Sequence, residues 1–521
     1  MKDLGGPHTV VIIGAGPGGL QTAYFLQELG IDYVIIEKGA GPGEFFRSFP
    51  RGRRLISLNK IHNGEARGEI QMRWDWNSLL EEEMGEHFKK FDTEYYPEAD
   101  SMVAYLADFA ARHAINILPH TEALRIEKDD DMFVVTTDSG MVRGDCLVVT
   151  TGTPIPHLPP IPGIEFTEQY ADFGGELDKY RNKRVLVIGK GNSAFETAGL
   201  LLPLAQSIDL VSPQLLREAA RTHFAGDVRS INLTFLDTFF FKQENAVINA
   251  CISRISRQGD IFTVELAYTE DGEVDEFVYD NVICCAGFRF DHAPFVSTCQ
   301  PVTDETTGLP NLTCDWESIN VPGMFFAGAL TQANDYRGSG SSFVKGLRHN
   351  AQVLAKHIAE RTGQPQRPRA TVAASADAFT ADVFARVRSS ASLWHLWASL
   401  CDVYIFDLER CCFEVLRDVP QRRVLEQGLF GDGHGFVLQF THANPTNPEE
   451  RKSFSPVGFI HPMLKLYSGT QQLGESHVLE DVHAKWAKTN RWKAPVLDIF
   501  AAFRVCVAEQ TARANTAFHA R

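Results

Sequence analysis

A β-rich run, Thr9 to Ile13, passes straight into GAGPGG and then into a stretch with helical spacing of apolar residues, Gly18 to Leu29. A second apolar run, Tyr33 to Glu37, follows. Strand, glycine turn, helix and strand in this order leave little choice but a βαβ unit with a parallel pair. Gly14, Gly16 and Gly19 fill the G-x-G-x-x-G places, with Pro17 and Gly18 between the last two. The first glycine permits the tight turn, the second lets the backbone approach a pyrophosphate, and the third lets the helix pack against the strand. The helix then presents its unpaired N–H groups to the phosphates. Glu37 ends the second strand 18 residues past Gly19, with Lys38 beside it. A carboxylate there accepts hydrogen bonds from a ribose 2′-OH. This opening is read as an FAD cradle.

The pattern returns 175 residues later as GKGNSAFE. Arg184 to Ile188 reads as a strand, Ser193 to Leu202 as a helix and Ser207 to Ser212 as a second strand. Gly189, Gly191 and Ala194 take the motif places, with Asn192 and Ser193 at the helix start. The offset from Gly14 to Glu37, applied to Gly189, lands on Ser212, so the ribose acid is missing. A carboxylate would repel a 2′-phosphate; a hydroxyl would not. Arg217 and Arg221 follow four residues apart, on an expected helix, where either suits a phosphate. The second turn is therefore read as an NADPH site in preference to NADH.

Composition narrows the rest. With 521 residues the chain is too long for one core, and 44% hydrophobic with 22% charged residues is ordinary for a globular protein. A net charge of −16 argues against a nucleic-acid surface, which needs clustered Lys and Arg. No apolar run reaches the roughly 18 residues that span a bilayer. The apolar N-terminus leads into a glycine turn, not a signal-peptide cleavage site. A cytoplasmic protein is expected. None of the ten cysteines forms the C-x-x-C pair of dithiol enzymes; the adjacent pairs Cys284–Cys285 and Cys411–Cys412 read as buried small hydrophobes. No metal is called for.

Between the glycine turns, Asp100 to His113 reads as helix, and Phe133 to Thr137 and Cys146 to Thr150 as strands. TTGTPIPHLPPIPG (150–163) reads as a linker or domain crossing. Val282 to Cys285 and Met324 to Ala327 read as strands, and Phe343 to Glu360 as a helix. Residues 362–375 have linker composition. The fold class expected is α/β: two Rossmann-like dinucleotide-binding domains, for FAD and NADPH, plus a mixed, largely helical C-terminal region with one strand, Gly435 to Phe440. Its boundaries are 1–158 with 286–365 for FAD, 159–285 for NADPH, and 376–521 for the last region. That region is expected to cover the active site or build a homodimer. Its Trp394, Trp397, Trp486 and Trp492 read as core.

The two motifs, in this order and spacing, resemble the flavin-containing monooxygenase superfamily. The closer resemblance is to the FAD-dependent oxidoreductase domain-containing family, which includes the ER flavoprotein associated with degradation. It is carried by GAGPGGLQTAYFLQ (14–27), RGRRLISLNK (51–60), DWNSLL (75–80), GKGNSAFETA (189–198), CAGFRFD (285–291) and QANDYRGSGSSFVKGLRH (332–349), and extends through HPMLKLY (461–467) and the segment from Glu480 to Phe503. The resemblance implies roles residue by residue. CAGF, with Gly287, looks like the motif linking the NADPH domain back to the FAD domain, and Thr151 and Gly152 look like its counterpart at the first crossing. Gly328 in MFFAG resembles the second FAD-contacting strand. Asn59 resembles the asparagine placed beside the flavin. Arg47, Arg51, Arg53 and Arg54 suit cofactor phosphates or an acidic substrate. The loop from Gln332 to Ser342, continuing into Phe343, is expected to pass near the isoalloxazine ring.

Two departures stand out. The monooxygenase signature before the second turn carries a histidine, but FTEQYADF (166–173) has none; and Gly328 is followed by Ala329 and Leu330, where an aspartate is usual. The chain ends FHAR, so an ER role is not expected to carry over. The implied activity is an FAD- and NADPH-dependent monooxygenase. It works through a flavin C4a-hydroperoxide and passes oxygen from dioxygen to nitrogen or sulfur of a small molecule. The rivals are an NADPH-dependent reductase or dehydrogenase without oxygen transfer, and a non-catalytic flavin-bound interaction protein.

Overall fold

A computed structural model describes residues 4–64, 68–82, 87–364, 369–442, 460–478, 486 and 490–519. They form two compact units. The first comprises Met1–Ala23, Tyr33–Asn59 and Glu86–Asn311; the second Tyr24–Asp32, Lys60–Gly85 and Leu312–Arg521.

The first unit holds two sheets on one plan. In one, β1 (His8–Ile13), β2 (Tyr33–Ile36), β3 (Ile117–Leu118), β4 (Ala123–Asp129), β5 (Met132–Thr137) and β6 (Met141–Val149) lie in the order β3-β2-β1-β6-β5-β4. The first four are parallel, and β5 and β4 add antiparallel. Val10 to Ile13 are buried on both faces, as a central parallel strand requires. The helix Pro17–Glu28 leaves β1, with proline at a first-turn position where its missing N–H costs nothing.

A short ladder follows, β7 (Ile155–Pro156) pairing with β15 (Phe288–Arg289). Between these strands lies the second sheet: β8 (Glu168–Gln169), β9 (Arg184–Ile188), β10 (Ser207–Ser212), β11 (Ala246–Gln258), β12 (Ile261–Tyr268), β13 (Val274–Tyr279) and β14 (Asn281–Cys284). Their order is β13-β12-β11-β10-β9-β14-β8. Strands β11, β10, β9, β14 and β8 are parallel, and β12 and β13 fold back antiparallel. The helix Asn192–Leu201 buries Ala194, Phe195, Ala198 and Leu201 against this sheet's core.

The second unit contains β16 (Met324–Phe326), the helix Val344–Arg361 and a six-stranded antiparallel sheet. That sheet is β17 (Ala370–Ala373), β18 (Leu400–Asp407), β19 (Cys412–Pro420), β20 (His434–Thr441), β21 (His461–Ser468) and β22 (Gln471–His477), ordered β17-β19-β18-β20-β21-β22. The helices Ala376–Ser389 and Asn490–His519 supply Phe379, Phe500 and Phe503 to an aromatic cluster with Phe413 and Phe436; the tilted rings of Phe379 and Phe436 lie 4.6 Å apart. The C-terminal region is thus mixed, as expected, with four strands beyond the one legible at Gly435. The linker reading of 362–375 needs correction. Ala370–Ala373 is an edge strand paired with β19, Ser375 caps the next helix by accepting from Ala378 N–H, and residues 365–368 lie outside the described residues. Trp486 is core, 6.2 Å from Trp394 and 5.7 Å from Phe440; Trp394, Trp397 and Trp492 are half-buried. Most of 480–489 in the resemblance lies outside the described residues.

Candidate functional site

The first glycine turn has the shape its sequence demands. Gly14 sits at φ 103°, its N–H donating to Ile36 O, and a Cβ there would meet Thr150. A Cβ on Gly19 would stand 2.0 Å from Gly14 O, so the helix can start only with glycine there. A Cβ on Gly16 would meet nothing within 4 Å, the open side of a cradle. Thr150 closes the back, its hydroxyl donating to Ile13 O and Gly14 O at 2.8 and 2.7 Å. Glu37 is buried; one carboxylate oxygen accepts from Ala15 N–H and the other from Gly39 N–H, both at 2.7 Å. Held this way, the acid faces the turn with lone pairs left for a ribose hydroxyl. Gly18 is buried at the helix start and Lys38 exposed. These residues fit the adenosine and pyrophosphate part of FAD.

The second turn repeats the backbone with a different polar filling. Gly189 sits at φ 126°, its N–H donating to Val211 O, and a Cβ would stand 2.5 Å from Cys285 O. A Cβ on Gly191 would meet nothing within 4 Å. Ser212 ends β10, its hydroxyl accepting from Gln214 N–H. Lys190, which the sequence reading passed over, lies across this end of the sheet. Its ammonium donates to Ser212 O at 3.0 Å, to Gln214 O at 3.3 Å and to Asn249 Oδ1. Burial pulls its pKa down to about 8. An open glycine and a cation at the ribose end fit a nicotinamide dinucleotide.

The expected helix carrying Arg217 and Arg221 is corrected here, and these side chains and Asn192 have local partners. The Asn192 amide donates to Gly226 O and Asp227 O and accepts from Arg229 N–H and Asn232 Nδ2, tying a loop to the helix start. Arg217 and Arg221 do not share a helix, because the helix is only Ala219–Thr222 and Arg217 precedes it, its carbonyl accepting from Val228 N–H while Ala219 N–H donates to Val228 O. Arg217 pairs with buried Asp227 at 3.1 Å and Arg221 with Glu218 at 3.6 Å.

The two crossings meet. His157 N–H donates to Gly287 O beside the β7–β15 ladder, Gly152 and Gly287 both have positive φ, and Thr151 is exposed. Where the histidine is missing, Tyr170 donates to Glu196 at 2.8 Å, and the same carboxylate accepts from Gly52 N–H. Burial pushes both groups' pKa values up. Ser193 is half-buried at the start of this helix. The basic cluster disperses onto local partners: Arg47 onto Glu44, Arg51 onto Phe173 O, Arg53 onto Asp100 and Arg54 onto Glu98. Asn59 is buried, its amide donating to Asp92 O at 2.7 Å; this fixes the side chain and leaves its carbonyl oxygen as the acceptor.

In the second unit, Gly328 (φ 65°) opens a 3₁₀ turn through Asn334 that carries half-buried Gln332. The following loop folds onto itself. Asp335 accepts from Ser339 and Ser341 hydroxyls, and Asn350 donates to Ser341 Oγ and Thr331 Oγ1. Burial pushes Asp335 up to about 6. Ser342 and Phe343 are half-buried, and the helix Val344–Arg361 starts after Phe343 without a side-chain cap. A Cβ on Gly346 would stand 2.1 Å from Gly340 O, so loop and helix touch backbone to backbone.

None of the ten cysteines forms a disulfide. Cys284 and Cys285 are buried as expected, but Cys411 is exposed at a positive φ and Cys412 half-buried, which corrects the reading of that pair. Among the described residues no helix is long and apolar enough to cross a membrane.

Comparison with known proteins agrees with this geometry. A family model described as pyridine nucleotide-disulphide oxidoreductase matches residues 11–328. FAD-dependent oxidoreductase domain-containing protein 2 of Mus musculus is 30% identical over 509 residues, covering 88% of this chain and 76% of that protein. Senecionine N-oxygenase of Tyria jacobaeae is 26% identical over 341 residues, covering 61% of this chain and 66% of that protein. A solved flavin-containing monooxygenase from Stenotrophomonas maltophilia shares the fold at 20% identity with a TM-score of 0.55, covering 70% of this chain and 100% of that one. Further matches carry reductase as well as hydroxylase names. The molecule is a flavoprotein oxidoreductase of α/β fold. The chain belongs to the pyridine nucleotide-disulphide oxidoreductase family and stands with the FAD-dependent oxidoreductase domain-containing proteins.

Proposed function

We propose that this chain is an FAD- and NADPH-dependent monooxygenase that oxygenates nitrogen or sulfur of a small molecule. The observation that carries the reading is the pair of glycine turns with opposite charge at the ribose end, Glu37 in one and Lys190 with Ser212 in the other, in a chain without a C-x-x-C pair. C-x-x-C is the usual dithiol motif of thioredoxin-like redox enzymes; a flavin that takes hydride from a nicotinamide needs no dithiol. FAD, when bound, supplies the electron store and the C4a carbon at which dioxygen is activated.

In this reading residues 1–158 and 286–365 hold FAD and residues 159–285 hold NADPH. Asn59 turns its carbonyl oxygen to the reacting centre and carries no titrating group. The loop from Gln332 to Phe343 packs backbone near the ring and excludes water. Residues 376–521 close the site or join two copies, and the protein works in the cytoplasm. A dehydrogenase passing electrons to another acceptor is the second reading, favoured by Tyr170 tied to Glu196 where the monooxygenase signature carries histidine.

The test is a nitrogen- and sulfur-compound panel in which NADPH consumption and peroxide release are followed together on holoenzyme. Oxygenation predicts a compound that speeds NADPH loss while peroxide falls. NADPH loss balanced by peroxide for every compound, with full turnover restored by an artificial electron acceptor, selects the dehydrogenase.

A further inference from the structure

The ribose acid is missing at Ser212, and the two arginines the sequence offers for a phosphate, Arg217 and Arg221, pair with Asp227 and Glu218. We propose that Lys190 reads the 2′-phosphate of the nicotinamide dinucleotide and sets the preference for NADPH over NADH. This rests on the reading of the second turn as a nicotinamide site.

Three observations carry it. Lys190 is the residue between Gly189 and Gly191, so its backbone belongs to the phosphate-cradling turn itself. Its side chain runs to the last residue of β10, Ser212, and to Asn249, which pairs with Ser212 across the parallel β10–β11 ladder. In a doubly wound sheet the ribose of a bound dinucleotide is recognised at the end of the second strand of the βαβ unit, and Ser212 ends that strand here. Finally, all three partners of the ammonium are neutral, two backbone carbonyls and an amide oxygen, and no carboxylate among the described residues lies within ion-pair distance. The residue is 8% exposed. A buried cation without a counter-ion is costly, and an arriving dianion removes that cost. The first turn shows the converse: Glu37 occupies the equivalent end of β2 and would repel a 2′-phosphate.

The rival role is a strut, in which Lys190 only ties β9 to β10 and β11. Binding separates the two. Holoenzyme is titrated calorimetrically with 2′,5′-ADP and with 5′-ADP, and the same is done for Lys190→Met and Lys190→Arg, with FAD content and melting temperature recorded. The expected result is that wild type prefers 2′,5′-ADP, that Lys190→Met loses about ten- to a hundredfold for 2′,5′-ADP with 5′-ADP unchanged, and that Lys190→Arg keeps the preference. Equal losses for both probes would place Lys190 on the pyrophosphate and overturn the proposal, as would no change in either. Ser212→Asp guards against a variant that does not fold. A carboxylate beside the ammonium should reverse the preference, in binding and in the rate at which NADPH and NADH bleach the flavin; an unaltered ratio sinks the proposal. If wild type binds neither probe and neither nucleotide bleaches the flavin, the nicotinamide reading itself fails. If wild type prefers 2′,5′-ADP but both variants leave that preference intact, only Lys190 is wrong.

Discussion

The two glycine turns share a backbone and differ in charge. In both, the first glycine has positive φ and donates to the neighbouring parallel strand, Gly14 to Ile36 O and Gly189 to Val211 O. In both, the middle glycine faces open space. At the ribose end they diverge: Glu37 accepts backbone N–H groups in the first, and Lys190 donates to backbone carbonyls in the second. On the proposed reading, the fold fixes where a dinucleotide lies and one side chain at each turn decides which dinucleotide is tolerated.

The strongest way to break this comparison is to separate the glycines that shape a turn from those that face a ligand. Gly19→Ala drives a methyl into Gly14 O and should cost about 3 kcal/mol or more, seen as loss of the cooperative melt. Gly16→Ala and Gly191→Ala should leave the apoprotein melt unchanged and weaken only FAD and only NADPH retention respectively. A lowered melting temperature in either would show that the open space is not a ligand site.

Next in size is a pH effect confined to the second turn. Lys190 has a folded pKa of about 8, below its value in the unfolded chain, so the folded state sheds a proton that the unfolded state keeps. Apoprotein stability should therefore rise as pH increases from about 8 to about 10.5, by up to about 3 kcal/mol. Lys190→Met should flatten that segment of a denaturant-midpoint profile; an unchanged slope would assign it to another group.

Glu37→Gln should weaken FAD retention by about ten- to a hundredfold, read from the flavin-to-protein absorbance ratio after dialysis, and leave the ratio of NADPH to NADH affinity alone. The smallest effects separate the arginines. Arg217→Ala strips buried Asp227 of its partner and should cost about 1–2 kcal/mol, whereas exposed Arg221→Ala should change stability by less than about 0.5 kcal/mol. A large drop in NADPH affinity for Arg221→Ala would move the phosphate site away from Lys190.

Elements with strong local signals were legible in the sequence. The strands Arg184–Ile188 and Ser207–Ser212 fall where their apolar runs place them, and the helices after both turns start within a residue or two of expectation. What escaped depends on partners distant in sequence. Ala370–Ala373 is small, mostly exposed and next to a proline-containing stretch, and only its pairing with Cys412–Val415 makes it a strand. Strands β11 and β13 escaped because mostly solvated strands lack sharp apolar alternation, whereas β12 does alternate, with Phe262, Val264 and Leu266 buried, a signal the sequence carried. At the site, backbone roles of glycines were readable because sterics admit few alternatives. Side-chain roles were less so: the four internal hydrogen bonds of Asn192 join partners distant in sequence, and Lys190 occupied a variable motif place to which the sequence attaches no direction.

The two-residue ladder of Ile155–Pro156 with Phe288–Arg289 has a further consequence. The chain leaves and re-enters at one spot, so the whole stretch from β8 to β14 is threaded through a narrow gate, like a cassette clipped in by its two ends. Such a cassette can be lifted out and a short bridge put in its place, or exchanged for the corresponding stretch of a relative, with the remaining sheet still able to close. Changing the electron donor by grafting is therefore a shorter path for this architecture than remodelling the turn residue by residue.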